Sequence, residues 1–188
     1  MTPSDVMITF PGKIHLIVGD EQLKSLAAEL TTPVAFGFDT ETRPSFRKGD
    51  VFKVALIQLA TLTDAYLIRT HAVSEFQLLK TIFENKNILK VGVAIHQDLS
   101  ALQKLFGFVP QNFIELQTIA KENGLKNFGL KGMTEEVLQA KLSKGPKLTN
   151  WEAPVLTDRQ MAYAATDAWI GLKLFEALQK NESQRPLR

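Results

Sequence analysis

The sequence predicts an α/β domain built around a mixed sheet. In the first half of the chain, short β-branched or apolar segments bounded by Gly, Pro or polar residues alternate with segments of helical periodicity, which dominate the second half. Strands that come early with helices interleaved are typical of this class. Since the 188 residues are 45% hydrophobic, they can bury one full core. We therefore expect a single domain over 1–188, with its core at about 20–180 and a flexible tail at 181–188.

Five segments have the composition of strands. They are apolar or β-branched, and the turn "TLTD" between the third and the fourth predicts a hairpin. They lie at 13–19, 33–41, 52–61, 64–69 and 89–94.

Six segments have helical periodicity. The last begins with Thr157 and Gln160 at the spacing of a capping box, which predicts where that helix starts. The helices are expected at 20–30, 74–85, 97–107, 114–124, 129–142 and about 157–180. The loops 45–53 and 143–154 are expected to be mobile or to face a substrate.

Composition excludes several classes of function. Lys plus Arg (22) nearly balance Asp plus Glu (20), so any polyanion must bind at a local patch rather than to the whole surface. The absence of cysteine excludes disulfides, thiolate zinc sites and cysteine nucleophiles, and suits a reducing compartment. The N-terminal residues resemble neither a signal peptide nor a transit peptide, and no run approaches the ~20 apolar residues of a membrane helix. We therefore expect a cytoplasmic protein without membrane contact.

Two carboxylates end the strand "VAFGFDTE". Asp39 and Glu41 lie on one face about 6.5 to 7 Å apart, so they repel each other unless a cation lies between them. Ala35 and Gly37 share this face, and we expect these small residues to leave an open floor beneath the acids. Taken alone, the pair is better explained as a strand end that exposes charge to solvent.

Two more acids follow later in the chain. Taken alone, Asp98 is better explained as a helix N-cap, although α/β proteins also place ligands where a strand ends and a helix starts. Tyr163 and Asp167 are one helical turn apart and share a face. An ionised aspartate on an apolar helix stripe is costly to bury unless it is paired or binds a metal, and a salt bridge in the core is the alternative. The four acids together would neutralise two divalent cations.

Three segments, "FDTE", "VGVAIHQDLSAL" and "YAATD", occur in the order and at the spacing of known motifs. They resemble the three motifs of the DEDD superfamily of 3'-5' exonucleases, in its tyrosine-bearing branch, which contains ribonuclease D and the Werner-type exonuclease. The histidine branch would have its His at position 162, where this chain has Ala162, and His96 therefore needs no catalytic role. The resemblance covers about 20–180 and implies a ribonuclease H-like fold, with a mixed five-stranded sheet flanked by helices.

The resemblance also implies roles for the five site residues. Asp39, Glu41, Asp98 and Asp167 would ligate two Mg²⁺ or Mn²⁺ ions, with Asp39 bridging them. Hard oxygen ligands suit such ions, and two ions ~3.5 to 4 Å apart can activate water and stabilise a leaving 3' oxygen. A phenol with an ordinary pKa near 10 is a poor general base, so Tyr163 is expected to orient the water.

Contacts to the substrate are expected from basic and aromatic residues in the loops, although charged loops are more often simply solvated. Trp169, inside the last helix, is better explained as core. Glu115 stands where many relatives have an aspartate, which bears on local packing rather than chemistry. The candidate phosphate contacts are Arg43, Arg47, Lys48, Lys144 and Lys147, and Trp151 is the candidate for stacking on a base.

The leading hypothesis is a metal-dependent 3'-5' exonuclease that releases nucleoside 5'-monophosphates from DNA or RNA. The chain shows no helical nucleic-acid-binding domain of the kind ribonuclease D carries, which slightly favours DNA. A catalytically weak nucleic-acid-binding module of the same fold is the alternative. An unrelated phosphatase or nucleotide hydrolase is disfavoured, because no "GxxxxGK" loop is present. The modest net charge predicts weak, salt-sensitive binding of single strands or 3' ends that relies on oligomers or partner proteins, and the sequence leaves the oligomeric state open.

Overall fold

Eight strands and seven α-helices form in the part of the chain that the structure describes, a computed structural model covering 6–43, 52–143, 145 and 149–183, with side chains to Lys180. The strands are β1 (Met7–Ile8), β2 (Lys13–Ile17), β3 (Ala35–Thr42), β4 (Val54–Ala60), β5 (Asp64–Arg69), β6 (Leu89–Gly92), β7 (Phe113–Glu115) and β8 (Lys141–Leu142). The helices are α1 (Asp20–Ser25), α2 (Ala27–Thr31), α3 (Gln77–Phe83), α4 (His96–Phe106), α5 (Leu116–Glu122), α6 (Leu130–Leu138) and α7 (Asp158–Ser183), with a 3-10 turn at Thr70–Ala72.

Six of the strands form one mixed sheet in the order β2-β5-β4-β3-β6-β7. β3, β4 and β5 are antiparallel neighbours, whereas β2 pairs with β5, and β6 with β3 and β7, in parallel. All five predicted strands and the β4–β5 hairpin are confirmed. The sheet has six strands rather than the expected five. The additional strand, β7, is only three residues long, and most of it had been included in the helix expected at 114–124.

The side chains of the sheet alternate between two cores. On β5, Ala65 and Leu67 face the core that contains α7, while Tyr66 and Ile68 face the core beneath α1 to α4. This alternation follows from the two-residue period of a strand with both faces covered. The predicted α/β architecture with helices flanking a mixed sheet is confirmed.

Helix α7 packs against β3 at a glycine. A Cβ atom on Gly37 would overlap the carbonyl oxygen of Ala168 and would lie 3.3 Å from the backbone nitrogen of Leu172. The expectation of an open floor beneath Asp39 and Glu41 was therefore wrong at this point. Because Gly37 has no side chain, the backbone of α7 packs directly against it, and no open space is left there.

The start of α7 follows the predicted capping box. The Thr157 N–H donates to Gln160 Oε1 (2.8 Å), and the Gln160 N–H donates to Thr157 Oγ1 (3.2 Å). The helix continues to Ser183, beyond its predicted end, and the remainder of the expected tail, 184–188, lies outside the described residues. None of the described helices is both long enough and apolar enough to cross a membrane.

Two other predicted helices differ from the structure. The helix expected at 20–30 is divided into α1 and α2, which meet at Leu26. The helix expected at 129–142 ends at Leu138, because Gln139 adopts a left-handed backbone conformation with φ of 52°. The last two residues of that segment form β8, which pairs in parallel with β1.

Candidate functional site

The site lies where β3 passes beneath α7. Asp39 and Glu41 are half-buried on β3. Asp167 on α7 directly precedes Ala168, whose carbonyl oxygen lies against Gly37. Asp39 and Asp167 accordingly line one cavity of about 170 Å³, together with residues of β6, α6 and α7. The strand and the helix thus bring together acids that are 128 positions apart in sequence.

Asp98 reaches the same strand from the opposite layer. It lies in the first turn of α4, which begins at His96 with Ile95 as its N-cap, so the N-cap explanation of Asp98 was wrong. Thr40 Oγ1 donates a hydrogen bond to Asp98 Oδ1 at 2.5 Å. The contact places Asp98 beside the β3 segment that carries Asp39 and Glu41.

Burial raises the pKa values of all four acids, and the charges of neighbouring site acids add to the shifts of Asp39 and Glu41. Burial, and then the charges of Asp167, Glu41 and Asp98, hold the pKa of Asp39 well above its ordinary value. The same causes, burial first, raise the pKa of Glu41 to about 8. Burial raises the pKa of Asp167 to about 6 and also raises that of Asp98, while hydrogen bonds from Tyr163 and Thr40 oppose these two shifts. The acids therefore interact electrically and favour neutralisation by protons or cations.

Tyr163 is held between three neighbours. Its hydroxyl hydrogen-bonds to Asp167, one turn further along α7. Its ring lies 6.4 Å from that of Trp151, centroid to centroid, and a Cβ on Gly145 would meet the phenol ring. Burial and the charge of Asp167 raise the pKa of Tyr163 further above its ordinary value of 10. A phenol in this environment keeps its proton, which suits a group that orients a water molecule rather than deprotonating it.

The donor chemistry of the site fits hard divalent cations. Four carboxyl groups supply only oxygen ligands, and a cation would relieve the repulsion that adds to burial in raising the pKa values of Asp39 and Glu41. Among the described side chains, no three His, Asp or Glu residues converge on one point.

The comparison with known protein families covers both the strands and the helices of this site. Residues 14–182 match the family model described as 3'-5' exonuclease. The chain belongs to the 3'-5' exonuclease family. This agrees with the family inferred from the three sequence motifs.

Individual members of the exonuclease family are similar over most of this chain. The mouse bifunctional 3'-5' exonuclease/ATP-dependent helicase WRN is 33% identical over 181 residues, which are 91% of this chain and 13% of that protein. Escherichia coli ribonuclease D is 32% identical over 164 residues, which are 85% of this chain and 42% of that protein. The chain thus spans less than half the length of these two relatives.

Solved structures of the family share the fold. The EXO domain of Aedes aegypti Nibbler superposes with a TM-score of 0.80 at 25% identity, covering 91% of this chain and 90% of that one. The structure of E. coli ribonuclease D superposes with a TM-score of 0.79 at 30% identity, covering 91% of this chain and 46% of that one. The fold is ribonuclease H-like, as the motifs implied.

The residues expected to contact a substrate differ in their exposure. Arg43 is exposed, pairs with Glu152 at 3.5 Å and lies over the ring of Phe52. Trp151 is only 4% exposed and packs on Tyr163. Its expected role of stacking on a base stays a prediction. Trp169 is buried, which confirms its assignment to the core. Arg47, Lys48, Lys144 and Lys147 lie outside the described residues.

A larger cavity, of about 680 Å³, lies beside α4 and was not predicted. Phe52 and Leu105 contribute apolar surface to it, and Lys53, His96 and Lys104 contribute basic groups. Within the described part of the chain, neither lysine forms an ion pair. Lys53 belongs to the loop 45–53 that was expected to be mobile or to face a substrate, but the α4 side of the cavity could not be predicted, since an exposed polar face of a helix is also typical of simple solvation.

Proposed function

We propose that this chain is a metal-dependent 3'-5' exonuclease that releases nucleoside 5'-monophosphates. The observation that carries the proposal is the approach of Asp39, Glu41, Asp98 and Asp167 from three elements, with all four pKa values raised. Perturbed acids that cluster in a cleft mark functional sites. Membership of the 3'-5' exonuclease family supports this assignment.

Each site residue has a role in the proposed mechanism. The four acids would hold two Mg²⁺ or Mn²⁺ ions. When bound, such ions activate a water molecule and stabilise the leaving 3' oxygen. Tyr163 keeps the proton on its hydroxyl and orients the attacking water, because its raised pKa makes it a poor base. Asp167 anchors the tyrosine hydroxyl in this position.

The proposed substrate is a single-stranded or recessed 3' end of DNA, with RNA as the close alternative. E. coli ribonuclease D, 30% identical in the structural comparison, is described as an exoribonuclease involved in structured RNA processing, which supports RNA. DNA is kept as the first choice on the resemblance of the sequence motifs to the Werner-type exonuclease.

The strand is proposed to run along the cavity beside α4. His96 lines this cavity and lies two residues before Asp98 on α4, so a strand bound there would pass close to the site. Lys53 and Lys104 are placed to contact phosphates, and Phe52 offers an aromatic face to a base. Arg43, stacked on Phe52, would extend this basic surface towards β3.

A catalytically weak binding module remains the second candidate. It is favoured by one observation, that no three of the described carboxylates converge on a point as they stand. Such a module would bind a strand without shortening it. The two candidates therefore predict different products from the same incubation.

The test is a time course on 5'-labelled single-stranded and 3'-recessed DNA beside matched RNA, with Mg²⁺, Mn²⁺ or EDTA. Metal-dependent ladders that descend from the 3' end are expected, and they should be absent for Asp39→Asn. The preferred ladder decides between DNA and RNA. A mobility shift without a ladder under either metal would reject the exonuclease in favour of the binding module.

A further inference from the structure

We propose that Glu115 is a positioning residue that fixes Asp98 for metal binding. This inference rests on the proposed function, because the place of Asp98 matters only if its carboxylate binds an ion. Glu115 lies outside the four acids, at the end of β7. Its side chain contacts the turn that joins β6 to α4. Helix α4 begins at His96, two residues before Asp98.

The carboxylate of Glu115 holds this turn through two consecutive backbone amides. The N–H of Ala94 donates to Oε1 and the N–H of Ile95 donates to Oε2, both at 2.9 Å. Oε1 also accepts from the N–H of Gln117 at 3.1 Å, which caps α5. Hydrogen bonds from amides to an ionised carboxylate are about twice as strong as neutral ones. One side chain thus fixes the starts of two helices.

The turn needs such support because Ala94 has an unfavourable backbone conformation and Ile95 is closely packed. Ala94 has a φ of 57°, a left-handed conformation that is unfavourable for a residue other than glycine. Ile95 is only 3% exposed, and a Cβ on Gly92 would collide with its side chain and with the carbonyl of Phe38. The turn is therefore pressed against β3 one residue before Asp39, and a small displacement would move Asp98 relative to Asp39.

Both carboxylate oxygens are required for the contact. In Glu115→Gln, an NH₂ group replaces one acceptor and faces an amide donor, so at least one of the three hydrogen bonds is lost. Mutation of groups that orient metal ligands typically weakens metal affinity by 10- to 100-fold. We expect Glu115→Gln to weaken Mn²⁺ binding by about tenfold, with faster hydrogen exchange at the amides of Ala94 and Ile95.

The chain contains a matched control for this substitution. Asp20 at the start of α1 accepts from the N–H of Ser74 (2.8 Å) and of Glu75 (3.0 Å) on one oxygen, and from Ser74 Oγ on the other (2.6 Å). None of these residues belongs to the site. Asp20→Asn should cost comparable stability while leaving Mn²⁺ binding unchanged.

The experiment measures Mn²⁺ binding by titration calorimetry, thermal midpoints and amide exchange for the full chain and both variants. Glu115→Asp is included as a milder change that keeps the carboxylate, and it should give an intermediate loss of affinity. Weakened Mn²⁺ binding in the Glu115 variants, but not in Asp20→Asn, would support the proposal. Unchanged Mn²⁺ binding in both Glu115 variants would overturn it, as would equal losses in Asp20→Asn.

The same measurements separate this inference from the proposed function. Wild-type protein that binds Mn²⁺ but shortens no nucleic acid would reject the exonuclease and leave the role of Glu115 standing. Wild-type protein that binds no Mn²⁺ would overturn both.

Discussion

The backbone of Gly37 in β3 lies directly against the backbone of Ala168 in α7. This contact sets the separation between the strand that carries Asp39 and the helix that carries Asp167. A glycine is required here because of close approach rather than an unusual φ angle, since any Cβ atom would overlap the Ala168 carbonyl oxygen.

Gly37→Ala should therefore destabilise the protein and weaken activity together. Forcing a methyl group into a closed contact costs about 1–3 kcal/mol and often more where backbone must move. Chemical denaturation measures the free energy of unfolding. Gly19→Ala is the control, because Gly19 is in extended backbone and its added Cβ would meet nothing within 4 Å. Equal stability of the two variants would show that α7 does not pack on β3 as described.

The thermal midpoint of the metal-free protein should fall as the pH rises from about 5 to about 8. The pKa values of Glu41, about 8, and Asp167, about 6, lie above the ordinary values of 4.5 for Glu and 3.8 for Asp. The folded state therefore holds these protons more tightly than the unfolded state does. Their stabilisation is complete below the unfolded values and is lost as the pH passes through the folded ones. Scanning calorimetry in EDTA measures the effect.

Glu41→Gln supplies the comparison for this pH dependence. It removes one titrating group of the site. The contributions of all other titrating groups cancel when the thermal midpoints of the variant and the wild-type protein are subtracted. The variant should show a shallower fall in thermal midpoint. Mn²⁺ should raise the wild-type midpoint more near pH 8 than near pH 5, because the ion competes with the protons of the acids. A wild-type midpoint that rises over this range relative to the variant would contradict the assignment.

Tyr163→Phe should slow cleavage and leave Mn²⁺ affinity nearly intact. The substitution removes the hydroxyl that would orient the water, while the ring keeps its packing on Trp151. Single-turnover rates at saturating Mn²⁺ and calorimetric affinities separate the two effects. Tyr66→Phe, at the other tyrosine of the chain, is the control and should leave the rate unchanged. Full activity of Tyr163→Phe would make Tyr163 purely structural.

Binding of single strands should become less salt-dependent when Lys53 and Lys104 are both changed to Ala. Each phosphate contact contributes about 0.7 to the slope of log affinity against log salt for single strands, so the double variant should lose about 1.4. Fluorescence anisotropy with Ca²⁺ in place of Mg²⁺ measures binding. Changing Lys24 and Lys86 to Ala removes the same charge from α1 and from the loop after α3, and an equal loss there would reject the cavity beside α4 as the strand path.

The sequence predicted those parts of the fold that depend on local patterns. The five main strands and the capping box of Thr157 and Gln160 follow from residue type and spacing over a few positions. The four acids and Tyr163 could be proposed because their motifs keep a fixed order. The assignment of the four acids as ligands is a prediction that metal binding will test.

Features that depend on contacts between distant segments could not be predicted in this way. β7 and β8 are three and two residues long, too short for any periodicity to mark them. The bond between Glu115 and Ile95 joins positions 20 residues apart, and nothing local distinguishes it from a solvated glutamate. Gly37 was taken as a sign of open space, although a small residue marks close packing equally well.

The short N-terminal strand β1 has a practical consequence for handling the protein. Val6 accepts a hydrogen bond from the N–H of Lys141, and the N–H of Phe10 donates to Thr166 Oγ1, 156 positions away in sequence. Val6 and Phe10 thus bind residues on either side of Gly145 in sequence, and Gly145 lies against Tyr163. Removing residues 6–10, or fusing a bulky tag next to them, would disturb the contacts with Lys141 and Thr166, so enzymatic comparisons are best made with these residues intact.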